Sequence, residues 1–232
     1  MTLVHEVYYK KYVPHAITKE VPHANLVDTI VEIHYDALQS QKVFQGLKKG
    51  FDKKHVDLIL HMFLCDHEDF ELDLLAYIQL GFKNKKELYN INHPSVFYLQ
   101  NLQKELLRHY HKYSGFLRFE ELEDGTLYAK VKSKFSLVYL LGRHFAKRLN
   151  NQNFIIHDVE RALACVKAEG DIDIKEVSSY EAPQVSPNEE KFQKLWQTFF
   201  QVIAIETREN KALQRQLVPL VYRTYMNEFS AL

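Results

Sequence analysis

Three arginines and two histidines in the middle of the sequence have side chains and spacings that suit an anionic ligand. His144 and Arg148 are one helical turn apart, and His157 and Arg161 flank the end of a short apolar run. Arginine and protonated imidazole donate charge-assisted hydrogen bonds to phosphate oxygens. With Arg118, which precedes an Asp-Gly turn, these residues predict a face that binds DNA or another phosphate-bearing ligand.

Two other interpretations of the same residues are open. The first is structural, with the arginines paired to neighbouring carboxylates such as Glu120, Glu121, Asp158 and Glu160. The second is acid-base catalysis with His157 or His144 as the proton carrier. Adjacent strand residues point to opposite faces, so His157 cannot form a dyad with Asp158 and would need His111 or His144 as its partner. Whether the chain is an enzyme is therefore undecided.

His61, Cys65 and His67 suggest a metal site. Residues four apart, such as His61 and Cys65, share a helical face, and histidine and cysteine side chains both bind zinc. The helix around them is otherwise apolar, which favours packing roles. The two cysteines, Cys65 and Cys165, are far apart and outside any Cys-x-x-Cys pattern. We predict no metal and no cofactor.

A basic run near one helix end has two interpretations. It can follow a nucleic-acid backbone through contacts that do not depend on sequence, or it can be a solvated helix face. The run consists of Lys42, Lys48, Lys49, Lys53, Lys54 and His55.

An aromatic stripe near the C-terminus has helical spacing, which favours a core or partner-docking face over a platform for base stacking. It comprises Phe192, Trp196, Phe199 and Phe200.

Composition limits the classes of function. The 232 residues carry 30 basic and 30 acidic side chains, so any nucleic-acid site must be a local patch. No apolar run approaches the roughly 20 residues that span a bilayer, and no secretory signal opens the chain. We expect a cytoplasmic protein without membrane association.

The hydrophobic patterns predict an α+β fold with a helical N-terminal half, a central antiparallel sheet with an inserted helix, and C-terminal helices packed back on the body. Strands are expected at Thr29–Tyr35, followed by a helix capped by Asp36, and at Phe116–Leu122 and Thr126–Val131 on either side of the Asp124-Gly125 turn. A helix is expected to begin after His93-Pro94, and the later strands turn through Gly170. Residues 1–28 form an unassigned arm. The body covers 29–177, mainly helical at 36–114 and sheet-rich at 115–177, and a linker at 178–188 precedes a helical segment at 189–232.

Short motifs follow one another in a fixed order along most of the chain, and their combined spacing is specific. They are Val43–Lys49 (VFQGLKK), His111, Gly115–Phe119 (GFLRF), Asp124–Gly125, His144–Phe145, Ile156–Asp158 with Arg161, Leu195–Trp196, Arg208, Asn210 and Pro219.

This series resembles a bacterial family of probable DNA metabolism proteins, a domain of unknown function often encoded beside a radical-SAM protein and sometimes fused to a uracil-DNA glycosylase-like domain. The resemblance implies a DNA repair or modification role with the radical-SAM protein as partner. It also adds His111, Arg208 and Asn210 to the predicted binding residues. A protein-interaction adaptor without nucleic-acid affinity is the remaining alternative.

Overall fold

Helices dominate the first half of the chain and a five-stranded sheet lies in the second, as seen in a computed structural model that describes residues 1–20, 29–66, 69–177, 184–203 and 210–229. The chain divides into two compact units, residues 1–106 and 107–232. The predicted division into arm, body, linker and C-terminal segment has boundaries that differ from those of these two units, and it stays a prediction. The α+β class is confirmed.

The first unit is helical, as its apolar periodicity predicts. Asp36 caps the second helix by accepting a hydrogen bond from the Gln39 backbone N–H at 2.9 Å. The elements are α1 (Thr2–Lys10), α2 (Ala37–Gly50), α3 (Lys53–Met62), α4 (Glu71–Lys83), a 3-10 helix (Lys85–Tyr89) and α5 (Pro94–Phe116), which continues into the second unit.

The N-terminal region differs from the sequence prediction. The strand expected at Thr29–Tyr35 is wrong, because residues 29–36 form no strand and have no ladder partner. A segment of alternating apolar residues is stable as a strand when it pairs with a sheet and its apolar face is buried. Ile30 and Tyr35 are exposed here. Part of the predicted arm is a helix, α1, and residues 21–28 lie outside the described residues.

The second unit joins a sheet to helices. The strand predicted at Phe116–Leu122 is much shorter, because α5 continues to Phe116, where its ring packs 5.5 Å from that of Tyr222. The elements after α5 are β1 (Glu120–Glu121), β2 (Leu127–Val131), α6 (Val138–Arg148), β3 (Phe154–Asp158), β4 (Leu163–Ala168), β5 (Asp171–Glu176), α7 (Glu189–Ile203), α8 (Lys211–Leu217), α9 (Leu220–Arg223) and a 3-10 helix (Asn227–Phe229).

The sheet has the order β1-β2-β3-β4-β5 and is mixed rather than antiparallel. β2 and β3 run parallel, with Ala129 opposite Ile156, while the other neighbouring pairs are antiparallel. A helix between adjacent strands returns the chain to the end of the sheet where the first strand began. The inserted helix was predicted, and the parallel pair is its geometric consequence.

Two tight turns shape the antiparallel part of the sheet, as predicted. Gly125 and Gly170 have positive φ values of 80° and 97°, the conformation for which glycine is preferred. Gly170 connects β4 to β5, an edge strand whose side chains are mostly exposed. Opposite it, the edge strand β1 is followed by a single bridge between Leu122 and Val185.

Helix α6 lies on the sheet with one narrow face. Its buried residues are Val138, Leu141, Gly142 and Phe145. A Cβ atom on Gly142 would lie 2.2 Å from the Cys165 Sγ of β4, so this glycine sets how closely the helix approaches the sheet.

The C-terminal helices contact other parts of the second unit, in agreement with the predicted arrangement. Trp196 of α7 and Lys112 of α5 form hydrogen bonds with Glu228 and with the Leu217 carbonyl, respectively. The aromatic stripe of α7 is not a core face, one of its two predicted roles, because Trp196 is 41% exposed and Phe199 is 55% exposed. The Phe200 ring lies 5.8 Å from that of Phe229, and this contact and the polar contacts together hold α7 in place.

None of the helices in the described ranges is long and apolar enough to cross a membrane.

Replacing Gly142 by Ala should destabilise the second unit by about 1–2 kcal/mol, because overpacking against β4 exceeds the gain in helix propensity. Urea unfolding measures the change. Gly115→Ala is the control, since nothing lies within 4 Å of its added Cβ, and it should be neutral or stabilising. Cys165→Ala should restore most of the loss caused by Gly142→Ala. Equal effects of the two glycine substitutions would contradict the close approach.

Candidate nucleic-acid interface

Arg161 is bound inside the second unit. Its guanidinium donates to Asp158 Oδ2 at 2.9 Å and to the Ser133 and Lys134 carbonyls at 2.8 Å each. The Asp158 side chain has no solvent exposure, and its Oδ1 accepts the backbone N–H of Glu160 and Arg161. The pair joins the β3–β4 turn to the segment between β2 and α6. These contacts correspond to the structural interpretation, in which the arginines pair with neighbouring carboxylates.

Arg118 is also held by a carboxylate, but not by either of its sequence neighbours Glu120 and Glu121. Its Nη2 lies 2.5 Å from Glu228 Oε1, and its Nε donates to Glu228 Oε2 at 3.3 Å. Burial raises the pKa of the Glu228 carboxyl, but the hydrogen bonds and charge of Arg118, a backbone hydrogen bond and the hydrogen bond from Trp196 together outweigh burial, so the pKa ends below its usual value. Trp196 donates to the same carboxylate at 3.2 Å. Arg118 therefore anchors the C-terminal segment.

His157 is buried in β3 and is 6% exposed. Its Nδ1 lies 2.9 Å from the Tyr128 hydroxyl, one diagonal position away on β2. Burial lowers the pKa of the imidazole, against the opposing charge of Asp158. A neutral, buried ring fits poorly as an exposed phosphate ligand, and its predicted catalytic role stays a prediction.

Helix α6 displays its basic residues to solvent. Arg143, Lys147 and Arg148 are exposed, and none of the three forms an ion pair or hydrogen bond with the residues that the structure describes. The helix contains no carboxylate. Exposed Tyr139 lies one turn before Arg143, whose guanidinium carbon is 5.8 Å from the tyrosine ring centroid.

We call these residues the α6 surface: Tyr139, Arg143, His144, Lys147 and Arg148. The sequence interpretation included His144 and Arg148 but missed the other three. Their signal was the four-residue spacing of positions 139, 143 and 147, which places them on one helical face. That face is opposite the residues buried on the sheet.

His144 connects this surface to α5. Its ring meets Tyr110 edge-on at a centroid distance of 6.2 Å, and its Nε2 is buried without a hydrogen-bond partner among the described residues. His111 follows Tyr110 in sequence and is exposed. The structure thus brings His144 and Arg148 together on one helix, with His111 on the helix next to it.

The remaining predicted residues lie elsewhere. Asn210 caps α8 by accepting the Leu213 backbone N–H at 2.9 Å, and Arg208 lies outside the described residues. His61 Nδ1 lies 2.9 Å from Gln103 Nε2, and His67 is also outside the described residues. Among the residues described, no group of three or more His, Cys, Asp or Glu side chains is placed to hold a metal ion.

Comparison with known proteins gives one informative match. The model of a family described as a domain of unknown function, DUF4130, matches residues 68–228. This range includes all the strands and α6. No curated protein and no solved structure shows a significant match.

Replacing Arg161 by Ala should destabilise the second unit by about 3 kcal/mol, because the buried Asp158 carboxylate loses its partner. Urea unfolding followed by Trp196 fluorescence measures the loss. Lys132→Ala is the control, since it breaks an exposed pair with Glu160 at 3.2 Å, and its effect should stay within about 0.5 kcal/mol. Similar losses in both variants would show that Asp158 does not depend on Arg161.

His157 should make the fold sensitive to acid. Its pKa is lower in the folded chain than the unfolded value of about 6.5, so its stabilising contribution is present above that pH and is lost as the pH falls below it. The melting temperature should fall between pH 7.5 and 5.5, and His157→Gln should reduce this fall. Exposed His111→Gln should leave it unchanged. An unaltered pH profile in His157→Gln would refute the assignment.

Proposed function

The chain belongs to the DUF4130 family of domains of unknown function, and on that premise we propose that it binds DNA through the α6 surface. The observation that carries the proposal is the group of three exposed cations on one helix that contains no carboxylate of its own. Cations that neutralise phosphates release condensed counterions, which drives binding irrespective of sequence. The proposed ligand is therefore the nucleic-acid backbone.

The state of the other cations supports this choice of surface. Arg118 and Arg161 each donate to a buried carboxylate and to backbone carbonyls, so binding a phosphate would require breaking contacts that stabilise the fold. Arg143, Lys147 and Arg148 need break no such contact. Binding a phosphate at α6 therefore costs less free energy than binding it at Arg118 or Arg161.

Tyr139 adds an aromatic ring to the surface. It is 46% exposed, and its hydroxyl and ring can contact a sugar-phosphate or an unpaired base while the cations hold the phosphates. His144 lies one turn before Arg148 on the same flank of the helix and adds an imidazole ring to the surface.

The biological setting proposed for this binding is DNA repair or modification. It rests on the family resemblance, which implies a radical-SAM protein as the partner. In this proposal the chain binds DNA and presents it to that partner.

Replacing Arg143, Lys147 and Arg148 together by Gln should lower DNA affinity at least about tenfold at low salt. The salt dependence should also weaken, with the slope of log affinity against log salt falling by about 0.9 for each duplex phosphate that the variant no longer neutralises. Fluorescence anisotropy with labelled single-stranded and duplex DNA at two salt concentrations measures both effects. Glutamine preserves helix propensity, so the fold should be retained.

The matched control removes three exposed cations elsewhere, with the substitutions Lys104→Gln, Lys191→Gln and Arg215→Gln. It changes the net charge equally and should bind DNA like the wild type. Equal losses in both variants would show that only overall charge matters. Absence of binding by the wild type at low salt would overturn the proposal and leave the adaptor function.

A further inference from the structure

The first unit carries a second basic surface, built from three chain segments that are separate in sequence. We propose that it is a further binding site for a nucleic-acid backbone, independent of the α6 surface. The inference rests on the proposed function for the identity of the polyanion. We call it the lysine surface, and its residues are Lys48, Lys49, Lys53, Lys54, Lys83, Lys85 and Lys86.

Aromatic packing brings the first two segments to the third. The ring of Phe51, in the turn between α2 and α3, lies 5.1 Å from that of Phe82 near the end of α4. Gly81 permits this contact, since a Cβ atom there would be 2.3 Å from the Phe51 ring. The ends of α2 and α4 and the start of α3 therefore meet.

A hydrogen bond holds the 3-10 helix at the same place. The Tyr89 hydroxyl donates to Asp52 Oδ2 at 2.7 Å, and Lys54 Nζ lies 3.8 Å from the centroid of the Tyr89 ring. The bond from Tyr89 lowers the pKa of Asp52, and the charges of His55, Lys85 and Lys54 lower it further. The lysines before and after the end of α4 are thus close to those of α3.

The charges on this surface are largely unbalanced. All seven lysines are exposed, and none of their side chains forms an ion pair or a hydrogen bond with another described residue. Residues 48–54 and 83–89 contain seven lysines but only two carboxylates, Asp52 and Glu87, which accept hydrogen bonds from Tyr89 and from the Asn90 amide. Like charges held together repel one another, which destabilises the fold unless a polyanion compensates them.

Helix stability does not explain the placement of these lysines. Lys48 and Lys49 at the end of α2 do favour its dipole, but Lys53 and Lys54 occupy the first turn of α3, where positive charge is unfavourable. Favourable C-terminal charges account for the lysines of α2 and for Lys83 in the last turn of α4, but not for Lys53 and Lys54. The lysines at the start of α3 point to an external anion.

A nucleic acid fits this surface better than a membrane. Peripheral membrane binding combines basic residues with apolar side chains that insert into the bilayer. The two rings of this surface, Phe82 and Tyr89, are 48% and 51% exposed, but both are held against the protein, Phe82 by Phe51 and Tyr89 by Asp52 and Lys54. The seven lysines outnumber these rings, which is the pattern that follows a phosphate backbone.

Replacing Lys49, Lys53 and Lys86 together by Gln should reduce affinity for DNA about tenfold or more at low salt and lower the salt slope. The side chains of these three lysines make no ring contact, ion pair or hydrogen bond among the described residues, so the fold should persist, as checked by circular dichroism and melting temperature. Anisotropy is measured in parallel for the wild type, this variant, the α6 variant and the variant with Gln at 104, 191 and 215.

The outcomes separate the two sites. Loss in the lysine variant, with the control unchanged, supports the inference whether or not the α6 variant also loses affinity. Loss in the α6 variant alone overturns the inference and keeps the proposed function. No DNA binding by any form overturns both. Binding to phosphatidylserine vesicles that the lysine variant loses, with DNA affinity unchanged, would instead identify a membrane surface.

Discussion

One buried carboxylate, that of Asp158, organises the second unit. With no exposure to solvent, its charge is stabilised by the guanidinium of Arg161 and by backbone N–H groups of the turn that follows β3. Because Arg161 also reaches the Ser133 and Lys134 carbonyls, the same interaction fixes the chain between β2 and α6. Tyr113 of α5 donates to the Lys132 carbonyl beside it. The β3–β4 turn, the segment between β2 and α6, and helix α5 are thus held together at one point.

The crossover determines which side of α6 faces solvent. Gly142 and its apolar neighbours must lie on the sheet, so Tyr139, Arg143 and Lys147 are carried on the opposite face by the helical repeat alone. The candidate binding cations of this unit consequently differ in their partners. Arg118 and Arg161 have carboxylate partners and stabilise the fold, whereas those of α6 have none among the described residues and are available to a ligand.

Local patterns predicted the elements well, and long-range contacts decided the rest. The cap at Asp36, the glycine turns and the helix following Pro94 depend on neighbouring residues and were confirmed. The strand expected before Asp36 depended on a sheet that does not cover it. Spacing predicted His144 and Arg148 as one face, but no sequence rule shows that Arg118 would meet Glu228, which is 110 residues away. The predicted binding role of the site residues stays a prediction.

The exposed edge of the sheet has a consequence for how the chain behaves at high concentration. An edge strand offers unpaired backbone groups on which another strand can add, and this is a common route to aggregation. In β5, Asp171, Asp173 and Lys175 share one face, and two isoleucines and Glu176 share the other. A second sheet pairing with this edge would have to desolvate these charges or place like charges side by side. β5 thereby limits the sheet to its own five strands.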